Sequence, residues 1–242
     1  MDLSKVMETN TGTIDFSIVF PVMNQQDHIV KVIRSYYRAL KKNKYSFELI
    51  AVVNGTTDNS YALCKQVAQS DPNIHAYELK KSGYGLGIIY GIKHSRGNNI
   101  CYLNCARIKA QDLVCAINLF SRHPDHIVHG VRIQRENASR SVGSAMYNSA
   151  CKMLFSISSQ DINGNPNIFS RKNFRRLKLT YTDSMIDLEL LDKANKLNIP
   201  ISEIEIADYS RHGGISTSNF KTIFRLMSEV FRYACKINSR AI

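Results

Sequence analysis

Four short stretches of this chain carry residue types that could do chemistry. Asn54-Gly55-Thr56-Thr57-Asp58-Asn59-Ser60 is a turn-forming run that ends in three good helix N-cap residues. Ser82-Gly83-Tyr84-Gly85-Leu86-Gly87 is glycine-rich and leads into apolar sequence. Asn104-Cys105-Ala106-Arg107 ends on a guanidinium, a planar fork that suits phosphate bidentately and stays charged at any working pH. Lys80, Lys81, Arg132, Arg135 and Arg140 are further cations that could meet an anion, and Arg107 could equally be a surface residue capping a loop. In the fourth stretch, Thr182 to Leu197, residues Ile186, Leu190, Leu191, Ala194 and Leu197 make one apolar helical face. Asp187 lies at the edge of that face, three and four residues before Leu190 and Leu191, where an acid usually has work or a partner. Glu189 aligns with Lys193 and Lys196 and reads as solvated.

Strand-turn-helix units must position these stretches. Residues 14–21 read as a strand that passes through Val22-Met23-Asn24-Gln25-Gln26-Asp27 into a helical run bearing Ile29, Val32, Ile33, Tyr36, Tyr37 and Leu40. Residues 47–53 form a second apolar strand, followed by a helix with apolar positions 63, 64, 67 and 68. A third strand, 74–79, enters the glycine-rich turn and a short helix to Arg96, and a fourth, 99–103, ends at Asn104. Such β-α units in series predict an α/β fold with a mostly parallel twisted sheet flanked by helices. Every turn named above falls at a strand carboxyl end, where open α/β sheets bind ligands.

In this order the motifs resemble the inverting family-two glycosyltransferases of GT-A fold, and among them the dolichol-phosphate-mannose-synthase-like branch. Pro21-Val22-Met23-Asn24-Gln25 is similar to the family's opening P-x-x-N-E, and Val53-Asn54-Gly55-Thr56-Thr57-Asp58 to D-D/N-G-S-T-D. Gly85-Leu86-Gly87 with Gly91 resembles the glycine segment that follows. Arg132, Arg140, Tyr147-Asn148, Asp161-Ile162-Asn163-Gly164, Asp187-Leu188-Glu189 and Arg211-His212-Gly213-Gly214-Ile215-Ser216 continue the series in the family's order. The likeness covers roughly residues 14–218. It implies a nucleotide-sugar half over 14–107 and an acceptor half over 108–218, between a tail at 1–13 and a basic amphipathic helix at 219–242.

The resemblance implies donor contacts from Pro21, Asn24, Gln25, Val53, Asn54, Asp58, Gly85, Gly87, Asn104 and Ala106. It reads Arg211, His212 and Ser216 as part of a loop closing over the donor phosphates, hinged on paired glycines. That stretch could also be a turn before the last helix. On the acceptor side it implies Arg132, Arg140, Asp161, Asn163 and Glu189, although residues 161–166 also read as a polar turn. Asp187 becomes the candidate general base, with Asp183 and Glu189 in reserve, and the expected reaction is transfer with inversion. A hydroxyl acceptor would lose its proton to Asp187, whereas a polyprenyl phosphate, already anionic, would need no base.

Three departures from the pattern all remove charge. Members usually carry a D-x-D triplet whose carboxylates hold a hard divalent cation against the diphosphate. Here it reads Asn104-Cys105-Ala106, Gln25 replaces a glutamate, and Val53 replaces the first acid of the nucleobase turn. The expectation is a site with no required metal, or a weak dependence on magnesium or manganese, in which Arg107 joins Asp187 as a catalytic residue by neutralising the leaving phosphate. The competing expectation is a nucleotide-binding scaffold that has lost transfer.

Composition bounds the remainder. At 242 residues and 44% apolar content the chain can bury a sizeable core, and no apolar run approaches ~18 residues. The amino terminus lacks a signal-peptide pattern, which gives a cytoplasmic expectation. Six cysteines without C-x-x-C pairs or clustered histidines indicate neither zinc nor a disulfide framework; Cys105 could be a nucleophile but reads better as core. The net charge of +12 predicts attraction to polyanions. The basic residues match no nucleic-acid motif, so nucleic acid is the minor alternative. Phe220, Ile223, Phe224, Met227, Val230, Phe231 and Ala234 recur at helical spacing among Lys221, Arg225, Arg232, Lys236 and Arg240. That helix could lie peripherally on the inner face of an anionic membrane, in keeping with cell envelope polysaccharide biosynthesis, or pack on the preceding domain.

Overall fold

The computed structural model describes residues 14–133, 138–206, 212–213 and 227–235. Its sheet has seven strands in the order β3-β2-β1-β4-β6-β5-β7. Four parallel strands make one half: β1 (Phe16–Val22), β2 (Phe47–Asn54), β3 (Ile74–Leu79) and β4 (Asn99–Tyr102). In the other half β6 (Asn167–Ser170) runs antiparallel to both β4 and β5 (Ile127–Arg132), and β7 (Ile201–Ile206) pairs parallel with β5. The sheet is therefore mostly parallel, as the β-α series predicts, with one reversed strand, β6, between β4 and β5. Helices α1 (Ile29–Lys42), α2 (Ser60–Ala68), α3 (Tyr84–Lys93) and α4 (Ala110–Arg122) connect the strands. The second half adds α5 (Ala138–Phe155), α6 (Arg171–Leu177) and α7 (Ile186–Lys196).

Strand alternation sends side chains into two cores. Ile18, Phe20, Val22, Leu49, Ala51 and Val53 pack beneath α1, α2 and α4, while Val19, Ile50, Val52, Ile100 and Tyr102 pack beneath α3, α6 and α7. Every residue of β2 is buried, which explains its continuous apolar run: both faces are covered. Gly91 lets α3 press on the sheet, since a Cβ there would lie 2.4 Å from Val19 Cγ1. A third core joins Tyr147, Cys151 and Phe155 of α5 to Leu188 and Leu191 of α7.

Glu48, fully buried on β2, is the main charge inside the sheet. Burial alone would push its carboxyl up, but bonds from His75, the Arg96 amide, Ser17 and the Arg96 guanidinium hold it at about 2. A depressed carboxyl supplies stability that is present above its unfolded value near 4.5 and is lost as pH falls towards 2. Denaturant unfolding at pH 6 and pH 3 should differ by about 2 kcal/mol more in the wild type than in Glu48→Gln.

The expected tail over 1–13 lies outside the described residues, as do Arg135, Arg211, Ser216 and most of 219–242. Of the last segment, 227–235 is helical; Val230 and Tyr233 enter the third core and Tyr233 Oη donates to Asp192 Oδ2 at 2.7 Å. Among the described residues no helix is long and apolar enough to cross a membrane.

Candidate active site

Three neighbouring parallel strands, β2, β1 and β4, deliver their carboxyl ends to one edge of the sheet. After β1, Asn24 turns into the left-handed region at φ 52°, which asparagine tolerates better than most residues. From there Asn24 Oδ1 accepts from Thr56 Oγ1 and the Thr57 amide, both at 2.9 Å. The Gln26 amide donates to Asp58 Oδ2 and the Asn59 amide to Gln26 Oε1, each at 3.0 Å. Burial would raise the Asp58 carboxyl, but the Ser60 hydroxyl and amide, the Gln26 amide and Thr56 outweigh it and hold Asp58 at about 2. Asn24 and Asp58 thus belong to one interlocked turn pair that stays anionic through the physiological range.

The glycine-rich turn is built for close approach. Asn54 Nδ2 donates to Gly83 O at 2.6 Å, and a Cβ on Gly87 would meet Pro21 at 3.0 Å. The amides of Gly85 and Leu86, which open α3, donate to the carbonyls of Asp183 and Thr182. Those donors are spent on the segment preceding α7. Val53 lies wholly within the core, facing α1 and α2, and the structure does not bring it to the cleft edge.

At the end of β4 the degenerate triplet folds on itself. Asn104 Oδ1 accepts from the Ala106 amide at 3.1 Å, Cys105 is buried with its thiol 3.2 Å from Gln25 Oε1, and Ala106 is buried. Gln25 Oε1 also lies 3.1 Å from His28 Nε2, whose other ring nitrogen reaches Asp27 at 2.6 Å. His212 docks on this turn twice: its amide donates to Ala106 O at 2.9 Å and its Nε2 lies 3.1 Å from Ile108 O. A Cβ on Gly213 would stand 2.3 Å from Asp27 Oδ2, so the 212–213 pair lies flush against the start of α1. Arg107, half-buried, leaves the same turn. An amide, a thiol and a methyl do not suit a hard divalent cation, which takes oxygen ligands and usually carboxylates. Among the described residues no three His, Cys, Asp or Glu side chains group to hold a metal.

Asp187 sits in the first turn of α7 and is 3% exposed. Tyr102, the last residue of β4, donates its hydroxyl to Asp187 Oδ1 at 2.8 Å. One strand end therefore carries both the 104–107 turn and the anchor of Asp187. Burial raises this carboxyl to about 7, against the bond from Tyr102 and the charge of Arg132, with Asp161 adding to the rise. A carboxylate that titrates near neutrality can take up a proton and release it at working pH.

Around it, Arg132 holds Asp161 in a bidentate pair through Nε and Nη2. Buried His129 bridges the Asp161 carbonyl at 2.7 Å and Asn167. Tyr147 Oη and Asn163 Oδ1 are buried polar atoms with no hydrogen-bond partner among the described residues. The side chain of Arg140, on α5, is outside the described set. The 161–166 loop is seated against β5 without slack: a Cβ on Gly164 would lie 1.8 Å from Gly130 O. Gly164→Ala should cost about 1–3 kcal/mol, read as a lowered Tm, and should move Asp161 away from Arg132.

Glu189 corrects the sequence expectation. It is not solvated but 1% exposed, accepting from Thr180 N, Thr180 Oγ1, Tyr181 N and Lys193 Nζ at 2.7–2.9 Å. It fixes the 180–183 segment that caps α3, and Lys196 pairs instead with Asp192. Asp183 accepts from the Met185 amide in the turn that leads into α7. Sequence reasoning missed Tyr102 and His28. In the chain Tyr102 reads as part of an apolar strand, and only the fold turns its hydroxyl towards Asp187.

A family model described as glycosyl transferase family 2 matches residues 17–181, about two thirds of the chain. An undecaprenyl-phosphate 4-deoxy-4-formamido-L-arabinose transferase of Pseudomonas fluorescens is 33% identical over 90 residues, 36% of this chain. The chain spans only 26% of that protein's length. A dolichyl-phosphate beta-glucosyltransferase of Dictyostelium discoideum is 21% identical across 92% of this chain and 76% of its own. Among solved structures, glucosyl-3-phosphoglycerate synthase from Mycobacterium tuberculosis, in complex with Mn2+, UDP-glucose and phosphoglyceric acid, superposes with a TM-score of 0.71 at 15% identity. That likeness covers 93% of this chain and 81% of the other, and it shows the fold.

Proposed function

The chain belongs to glycosyl transferase family 2, and from that premise we propose that it moves a sugar from a nucleotide-sugar donor to the hydroxyl of a lipid-linked or other saccharide acceptor, with inversion. The observation that carries this reading is Asp187, buried, poised near neutrality, and tied through Tyr102 to the strand end that bears Arg107. In the proposed step the acceptor hydroxyl attacks the anomeric carbon as Asp187 takes its proton, and the bond to the nucleotide diphosphate breaks on the opposite face. Arg107 and His212, which docks on the Arg107 turn, together with Arg211, the residue before His212 in the motif, neutralise the departing diphosphate. A phosphate acceptor would bring an anion to Asp187 and leave that base without a task.

We place a divalent cation outside this mechanism because the amide, thiol and methyl at 104–106 do not suit one. The relatives named for undecaprenyl-phosphate and dolichyl-phosphate support a polyprenyl-type lipid on the acceptor side; transfer to the lipid phosphate itself would proceed without Asp187 as base. The test is transfer of radiolabelled sugar from UDP-glucose, GDP-mannose and other nucleotide sugars to a bacterial lipid extract and to soluble saccharides, with chelator present throughout. A labelled product that depends on Asp187 supports the reading. Tight nucleotide binding without release of nucleoside diphosphate, across all donors and acceptors, favours the scaffold reading that the lost acidic triplet also suggests.

A further inference from the structure

Helix α5 has two faces of opposite use. Tyr147, Cys151 and Phe155, spaced by four, are buried against Leu188 and Leu191 of the helix that carries Asp187. On the opposite side Met146 is 61% and Met153 81% exposed, with Leu154 beside them at 39%. The spacing of Met146, Ala150 and Met153 puts them on one outward stripe. The sequence of α5 contains no acidic residue, and its last turn bears Lys152. The helical segment 227–235, which packs Tyr233 on Phe155 at 5.3 Å between ring centroids, exposes Phe231 at 56% next to exposed Arg232.

Large apolar side chains held in water, flanked by cations and free of acids along the helix, are the pattern of an interfacial element. The chain's net charge of +12 favours an anionic surface over a neutral one. We propose that the outward face of α5 docks on an anionic lipid bilayer, its methionines entering the headgroup boundary. This rests on the lipid-linked acceptor proposed above. It gives the arrangement a purpose: the inner face of the same helix closes the core around Asp187, so docking sets the acid about one helix diameter, roughly 10–12 Å, behind the membrane surface. Of the carboxyl-terminal helix expected either to lie on a membrane or to pack on the preceding domain, the described part turns Val230 and Tyr233 inward and leaves Phe231 and Arg232 exposed.

The chain has no tryptophan, so Met153→Trp installs a single reporter at an exposed position. With vesicles of equal parts phosphatidylglycerol and phosphatidylcholine, its emission should shift to the blue, and much less with phosphatidylcholine alone. A Met146→Asp/Met153→Asp variant should retain the wild-type Tm and lose vesicle affinity about tenfold or more. An unshifted reporter on bound protein, or equal affinity of the double variant, overturns the proposal. So does a wild-type protein that ignores the vesicles, or one that forms a stable dimer broken by the same double variant, which would assign the face to a second copy. Vesicle binding is read without donor or acceptor, so its failure leaves sugar transfer to be judged by its own assay.

Discussion

Asp187→Asn is expected to lower kcat about 10²–10⁴-fold while changing donor affinity little, the loss typical of a missing general base. Its carboxyl is buried on α7 and the amide is nearly isosteric, so Tm should stay close to wild type. The pH dependence follows from the raised value. Only the ionised carboxylate accepts a proton, so kcat/KM, which follows the free enzyme, should rise with pH through about 7 and level off above it. Tyr102→Phe removes the hydrogen bond that favours the ionised form and should carry that limb to higher pH. A wild-type rate in Asp187→Asn would instead assign the acceptor to an already anionic phosphate.

Arg107→Ala should weaken a nucleoside diphosphate about 10–100-fold, the worth of one or two charge-assisted bonds at a half-buried site. Arg107→Lys keeps the charge and loses the fork, so its affinity should fall between the two. A nucleoside, which carries no phosphate, should bind both variants and the wild type alike. Titration calorimetry reads all three, and equal diphosphate affinity in Arg107→Ala would return Arg107 to the role of an ordinary loop residue.

The parallel half of the sheet was legible because each β-α unit announces itself: an apolar run of strand length, turn residues, then helical periodicity. The turn of residues 54–60 and its partner turn at Asn24 were equally readable as turns, since their side chains bond locally or to the neighbouring turn. What resisted reading was long-range. Glu189 looks solvated on a helical wheel, and only the arrival of residues 180–181 beside α7 buries it. Tyr102 looks like strand core, and its hydroxyl acquires meaning only when Asp187, 85 residues away, packs against it. The glycines of 83–87 suggest contacts to a donor, yet the amides of Gly85 and Leu86 meet backbone carbonyls of the segment before α7. Val53 sits at an acid's position in the motif but has the environment of a core valine. Motif spacing locates a turn along the chain; packing decides which of its atoms face the cleft.

The central claim is a donor site in which arginine replaces the cation. It is tested most directly by calorimetric titration of the wild-type protein with UDP, GDP, CDP and dTDP, in chelator and again with manganese. One nucleotide should bind in chelator, with an affinity that manganese changes by less than about twofold, a difference of ~0.4 kcal/mol. Binding that appears only with manganese, or that tightens about tenfold or more on adding it, would contradict the account.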